Sequence, residues 1–381
     1  TEDPRQLLTL HGWAASLEAG PEMASAFGPL LAFSPAFLSG LGHAGLAQLR
    51  ATKPEPGTLR QIEVNLEVDI RDELSGVVAP TLVCAAALGP LIAEHTDIPA
   101  GVLNIVTSDD HTLGARLVED PRVDMITFTG STQTGRSVMA GASASLKRTF
   151  LELGGKSAAI VLDDADIAGA ASYTAFSVAL HAGQGCALTT RMLVPRAAYD
   201  EAVAAAAKAL SGIRADDPTK PGTVCGPLIS ARQRDRVERY LDIARAEGGR
   251  IVVGGGRPSG KDRGFFVEPT LIAGLGNTAT VAQEEIFGPV LVVIPYDGDA
   301  DAIRLANESP YGLSGSVWGA DPERVDRVVS GVRTGTLSVN GGLWYHADAP
   351  FGGYKQSGIG REMGVAGFEE YLETKLIATP A

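Results

Sequence analysis

The sequence predicts an α/β protein of two domains, on three observations. Short apolar runs rich in Val, Ile and Leu alternate with helical stretches over most of its length. The 381 residues are enough for more than one core. The composition, 45% hydrophobic and 20% charged, is that of an ordinary globular enzyme. A formal charge of −13, with basic residues scattered, argues against nucleic acid or an anionic membrane as partner. Cys84, Cys186 and Cys225 are too few for a disulfide framework, so a reducing compartment, the cytoplasm, is expected. They are also too far apart for a metal cluster, and no metal is expected.

Taken in order, residues 1–60 are broken by Pro, Gly and Ala, and a helical pattern emerges only at 44–50. Residues 23–49 and 74–93 lack Asp, Glu, Lys and Arg, but both are interrupted by Gly and Pro and read as buried structure rather than membrane spans. No basic segment opens the chain, so no signal peptide is expected. Residues 61–71 alternate polar and apolar, the pattern of an antiparallel strand with one wet face. A short strand is expected at 76–80, a helix containing Pro90 at 81–94, a strand at 101–106 and a capped helix at 109–120. A strand at 123–129 ends in Gly130-Ser131-Thr132, either a plain helix cap or a phosphate site at a helix N-terminus.

A strand at 157–162 precedes an acid-capped helix from about residue 163. Strands are then expected at 191–194, 251–253, 266–272, 290–295, 313–319 and 335–340, and helices at 197–210, 229–246, 300–307 and 322–332. On the helix at 229–246, Val237, Leu241 and Ala244 share one face. Such alternation implies a mostly parallel sheet. Gly254-Gly255-Gly256 has no helix after it and reads as a turn.

Two stretches carry the chemistry. Leu151-Glu152-Leu153-Gly154-Gly155-Lys156 puts one carboxylate in a Gly-bounded turn, and Gly183-Gln184-Gly185-Cys186 puts one thiol in a small-residue loop. A thiolate is a strong nucleophile, and a carboxylate tuned upward is a general base near neutral pH. Together they suffice for a cycle through a thioester. Against this stand blander readings: a buried structural Cys186, and a Glu152 that pairs with Lys156. His181, five residues before Cys186, is either a dyad partner or a packed histidine, and the second is the commoner fate. Cys84 and Cys225 read as structural.

At these residues the chain resembles the aldehyde dehydrogenases. Phe128-Thr129-Gly130-Ser131-Thr132, the stretch 151–156, Gly183-Gln184-Gly185-Cys186, Glu284-Glu285-Ile286-Phe287-Gly288-Pro289, and Pro350-Phe351-Gly352-Gly353 with 355–358 follow the family's order. The resemblance runs from about residue 121 to the end and weakens over 60–120. It implies a Rossmann-like cofactor domain from 1–59 and 76–153, an α/β catalytic domain at 154–357, and a β-strand oligomerisation arm from 60–75 and 368–381. It implies oxidation of a small-molecule aldehyde to an acid with NAD or NADP, NAD favoured, by a homo-oligomer (dimer or tetramer).

In that reading Cys186 is the nucleophile and Glu152 the base. Gly130 and Ser131 approach the cofactor pyrophosphate and Glu285 the nicotinamide ribose. Leu153 also contacts the cofactor, and Phe287 lies against the nicotinamide side. Because relatives that acylate CoA do not need the base, Glu152 favours hydrolysis. Trp344 and Tyr345 either line the aldehyde entrance or simply pack. The chain departs from the pattern after Pro80, where it runs straight into an Ala-rich helix. The family's oxyanion-holding Asn and its ribose-binding Lys have no counterpart there. That departure motivates the alternatives, a catalytically silent homologue with a binding role or a thiol esterase.

Overall fold

The structure, a computed structural model, describes residues 104–106, 112–342, 346 and 348–379. The elements expected at 44–50, 61–71, 76–80 and 81–94, together with Cys84, Trp344 and Tyr345, lie outside the described residues. Residues 104–106, expected to end a strand, are exposed and carry no strand assignment. The chain forms two compact units, Thr1–Leu113 and Gly114–Ala381.

The second unit carries two sheets. In the smaller, β1 (Met125–Thr129) and β2 (Arg148–Glu152) pair in parallel, Met125 opposite Arg148 and Thr129 opposite Glu152. They follow a short helix, α1 (Thr112–Glu119), and are joined through α2 (Thr132–Ala142). Among the described residues Val118, Val138, Ala142, Leu151 and Leu153 form one buried apolar cluster beside it.

After Gly154 and Gly155 the chain enters the larger sheet. In order come β3 (Ala158–Val161), α3 (Ile167–Ala179), β4 (Arg191–Pro195), α4 (Tyr199–Ser211), α5 (Ala231–Ala246), β5 (Arg250–Val253), β6 (Thr270–Ala273), α6 (Thr280–Gln283), β7 (Val290–Tyr296), α7 (Asp299–Asn307), β8 (Gly315–Trp318), α8 (Pro322–Gly331) and β9 (Ser338–Val339). The spatial order is β5-β6-β7-β4-β3-β8-β9, parallel throughout except for β5 against β6. Strands β3 and β4 are buried at every residue, as apolar runs in a two-sided parallel sheet must be. The chain then returns to the small sheet: β10 (Gly358–Ile359) pairs antiparallel with β2, and α9 (Gly364–Glu369) follows.

The expected α/β alternation is thus present, with shifted ends. Helix α3 starts at Ile167 rather than near 163, because Asp166 caps it by accepting from the Gly169 N–H at 3.0 Å. Asp163 instead pairs with Arg324, and Asp164 accepts the Asp321 N–H. The strand expected at 266–272 pairs only over β6, since Pro269 brings no N–H to a ladder. That at 335–340 shrinks to β9. Residues 371–377, expected as an edge strand, carry no strand pairing. Gly254 and Gly255 form the expected turn, both with positive φ. No helix among the described residues is long and apolar enough to cross a membrane.

Candidate functional site

A cavity of about 1180 Å³ brings together most of the residues singled out in the sequence. Thr129, Gly130, Ser131 and Gln133 line it from the β1–α2 junction, and Glu152, Leu153 and Gly154 from the end of β2. Gln184, Gly185 and Cys186 reach it from the loop before β4, and Glu285 and Phe287 from the loop before β7.

Each wall has a local cause. Ser131 caps α2, its Oγ accepting the Thr134 N–H at 3.2 Å. As first-turn groups, the N–H groups of Thr132 and Gln133 have no intrahelical acceptor. The helix-cap reading of the Gly130-Ser131-Thr132 junction is thus met. The thiol loop turns tightly through His181, Ala182 and Gly183, all at positive φ. A side chain at Gly183 would run into the Gly288-Pro289 backbone, so this loop packs directly on the one that carries Glu285. His181 is exposed, not packed as expected, and its carbonyl accepts the Gln184 N–H.

Glu152 is 2% exposed, and neither carboxylate oxygen has a hydrogen-bond partner among the described residues. It does not pair with Lys156. Burial pushes its pKa up to about 8, helped by the negative charge of Glu362 and opposed by Arg361 and by the nearby Gly353 N–H, which approaches without normal hydrogen-bond geometry. The Cys186 thiol is half-buried, and burial pushes it up to about 11, with Glu152 and Glu285 adding repulsion. Burial thus disfavours the charged form of both groups. Cys225 is fully buried against the large core, as expected of a structural thiol.

Glu285 accepts the Gly155 N–H at 3.0 Å, and burial raises its pKa. A Cβ at Gly154 would strike its carboxylate, so the two glycines give it room and a donor. Phe287 sits at positive φ, half-exposed to the cavity. Sequence reasoning missed the residues that hold this loop. Gln233 Nε2 donates to the Ile286 and Phe287 carbonyls at 3.0 and 2.7 Å, and Arg236 Nη2 donates to the Glu285 carbonyl at 2.6 Å. Gln233 lies one turn before Val237 and Arg236 immediately before it, positions with no motif to mark them.

Lys156 enters the sequence reading only as a possible partner of Glu152. It is 1% exposed, its Nζ has no partner among the described residues, and burial lowers it to about 7. Arg191, buried at the start of β4, fixes the adjoining backbone: its Nε donates to the Lys156 carbonyl and its Nη groups to Asn277 Oδ1 and the Leu305 and Ala306 carbonyls.

Comparison with known proteins gives one family. The model of the aldehyde dehydrogenase family matches residues 79–377. A Staphylococcus saprophyticus protein, provisionally named an aldehyde dehydrogenase, is 44% identical over 295 residues, covering 77% of this chain and 62% of that protein. The Mycobacterium tuberculosis aldehyde dehydrogenase solved with NAD+ is 49% identical with a TM-score of 0.72, covering 75% of this chain and 59% of that one. Aldehyde dehydrogenase C of Pseudomonas syringae, solved as a cysteine-to-alanine mutant with NAD+ and octanal, is 40% identical with a TM-score of 0.73, covering 77% and 60%. The chain spans about three fifths of the length of the relatives it matches.

Proposed function

The chain belongs to the aldehyde dehydrogenase family, and from that premise we propose that it takes part in oxidising an aldehyde to a carboxylic acid with NAD+ through an acyl-Cys186 thioester. The observation that carries this reading is the shared cavity of thiol, unpartnered buried carboxylate and helix N-terminus. The residues present fit a dinucleotide. Gly130, Ser131 and the free N–H groups of α2 would hold the pyrophosphate, Glu285 the nicotinamide ribose, and Leu153 and Phe287 the nicotinamide. Bound NAD+ supplies the hydride acceptor. NAD+ is preferred to NADP+ because the similar solved structures carry NAD+.

Cys186 gives up its thiol proton to solvent, and its sulfur attacks the aldehyde carbon while the carbonyl π pair moves onto the oxygen, leaving the alkoxide of a thiohemiacetal. The Cys186 N–H is one donor to the oxyanion. Once the thioester exists, Glu152 takes a proton from water, and the resulting hydroxide attacks the acyl carbon to release acid and free thiolate. A carboxyl raised to about 8 is a stronger base, once ionised, than an ordinary Glu.

We assign 1–59 and 76–153 to the cofactor domain, 154–357 to the catalytic domain, and 60–75 with 368–381 to an oligomerisation arm. Phe368, Tyr371, Leu372, Leu376 and Ile377 are exposed near the C-terminus, an apolar strip that suits burial against a second copy. Light scattering on the chain cut after Glu370 should show a smaller assembly than the uncut chain; equal masses would remove the arm from the proposal. The activity is tested by mixing the protein with NAD+ and an aldehyde series. The expected result is aldehyde-dependent rise of reduced-nicotinamide absorbance. Absence of NAD+ binding, or ester turnover without it, would overturn the reading.

A further inference from the structure

Helix α5 lines the cavity with three arginines, Arg232, Arg236 and Arg239, spaced i, i+4 and i+7 on one face. This wall is basic in a chain whose formal charge is −13. Arg236 is committed to the Glu285 and Ile286 carbonyls. Arg232 and Arg239 are exposed, and neither makes a hydrogen bond or ion pair among the described residues; Arg239 lies 5.6 Å from the Tyr240 ring centre. The acids facing the same space are Asp235, paired with Arg234, and Glu152 and Glu285. The same cavity contains the N-terminus of α2, with Gly130, Ser131 and Gln133.

Two guanidinium groups with free donors, sharing a cavity with an anion-seeking helix end, suit a doubly charged ligand. We propose that Arg232 and Arg239 form a side-chain clamp on the cofactor pyrophosphate, in addition to the backbone donors of α2. This rests on the reading of the cavity as the cofactor site. Exposed arginines engaging phosphate oxygens should make cofactor affinity fall with ionic strength.

The test is calorimetric titration of the intact protein with NAD+ and with ADP-ribose, in the absence of aldehyde. In the Arg232→Ala/Arg239→Ala double variant both ligands should bind about tenfold more weakly at low salt, with a flatter salt dependence than wild type. The single variants Arg232→Gln and Arg239→Gln, which retain bulk, should each lose about threefold. Wild type that binds both ligands while the variants bind them equally well overturns the clamp and leaves the cofactor reading intact. Unchanged NAD+ affinity with a raised KM for succinic semialdehyde, but not for hexanal, would assign the arginines to an acidic substrate and equally overturn it. Wild type that binds neither ligand would sink the cofactor reading itself, and the clamp with it.

Discussion

The small sheet meets the cavity at the carboxyl ends of β1 and β2, whereas the large sheet meets it at the amino ends of β3, β4 and β7. Gly130 follows β1 and Glu152 ends β2, while Gly154, Cys186 and Glu285 all precede the strands they lead into. Ligands of open α/β sheets usually sit outside the carboxyl ends of strands, and only the small sheet obeys that rule. The large sheet acts differently, as an anchor. Short loops enter it, and the buried Arg191 ties the backbone at Lys156 to the loops around Asn277 and Leu305. Among the described residues its core is the larger of the two. Cys186 precedes a strand of the large sheet, and Glu152 ends a strand of the small one.

The largest expected effect contrasts two thiols of the larger half. Cys186→Ser should lose hydride transfer by about 10³-fold or more, because a hydroxyl is far less ionised. Cys225→Ser, buried in the large core, should retain turnover per folded molecule. Equal loss in both, measured as reduced-cofactor formation by folded protein, would break the distinction.

Next in size is Gly154→Ala, which sits on the link between the sheets. Its new Cβ would push the Glu285 carboxylate from its place, and NAD+ affinity should fall about tenfold with little change in melting temperature. Unchanged affinity by calorimetry would remove Glu285 from the cofactor site.

The smallest effect is on stability. The folded Glu152 carboxyl, at about 8, lies above its ordinary 4.5, so the unfolded chain ionises first. Stability should drain away as pH rises from about 4.5 to about 8 and then level off. Glu152→Gln should be neutral to stability near pH 4 and raise the melting temperature by about 2–6 °C at pH 8. A variant less stable than wild type at pH 8 would mean that the carboxylate has a partner stabilising its charge.

How far the sequence could be read follows from the same division. The apolar runs of β3, β4 and β7 announced the large sheet because two-sided burial leaves no other composition open. Cys186, Glu152 and Glu285 could be singled out because small residues and motif context surround them. Their positions before strands could not be inferred from any general rule about sheets. Gln233 and Arg236 carry no motif, because their roles depend on contacts far along the chain, as between Gln233 and Phe287. Helix α3 was started early because Asp163, Asp164 and Asp166 are equally good caps on paper; the ion pair to Arg324 decides among them.

The central claim is that Cys186 bonds to the acyl group while Glu152 only releases it. Glu152→Gln keeps the shape and removes the base, so mixing it with NAD+ and aldehyde tests that division directly. The expected result is a burst of up to one reduced cofactor per site, then turnover slowed by about 10²–10⁴-fold. Acyl mass should accumulate on the peptide holding Cys186. Wild-type release should quicken as pH rises through about 8, where Glu152 ionises, and the variant should lack that rise. Full steady turnover by Glu152→Gln, with no acylated Cys186 peptide, would contradict the account.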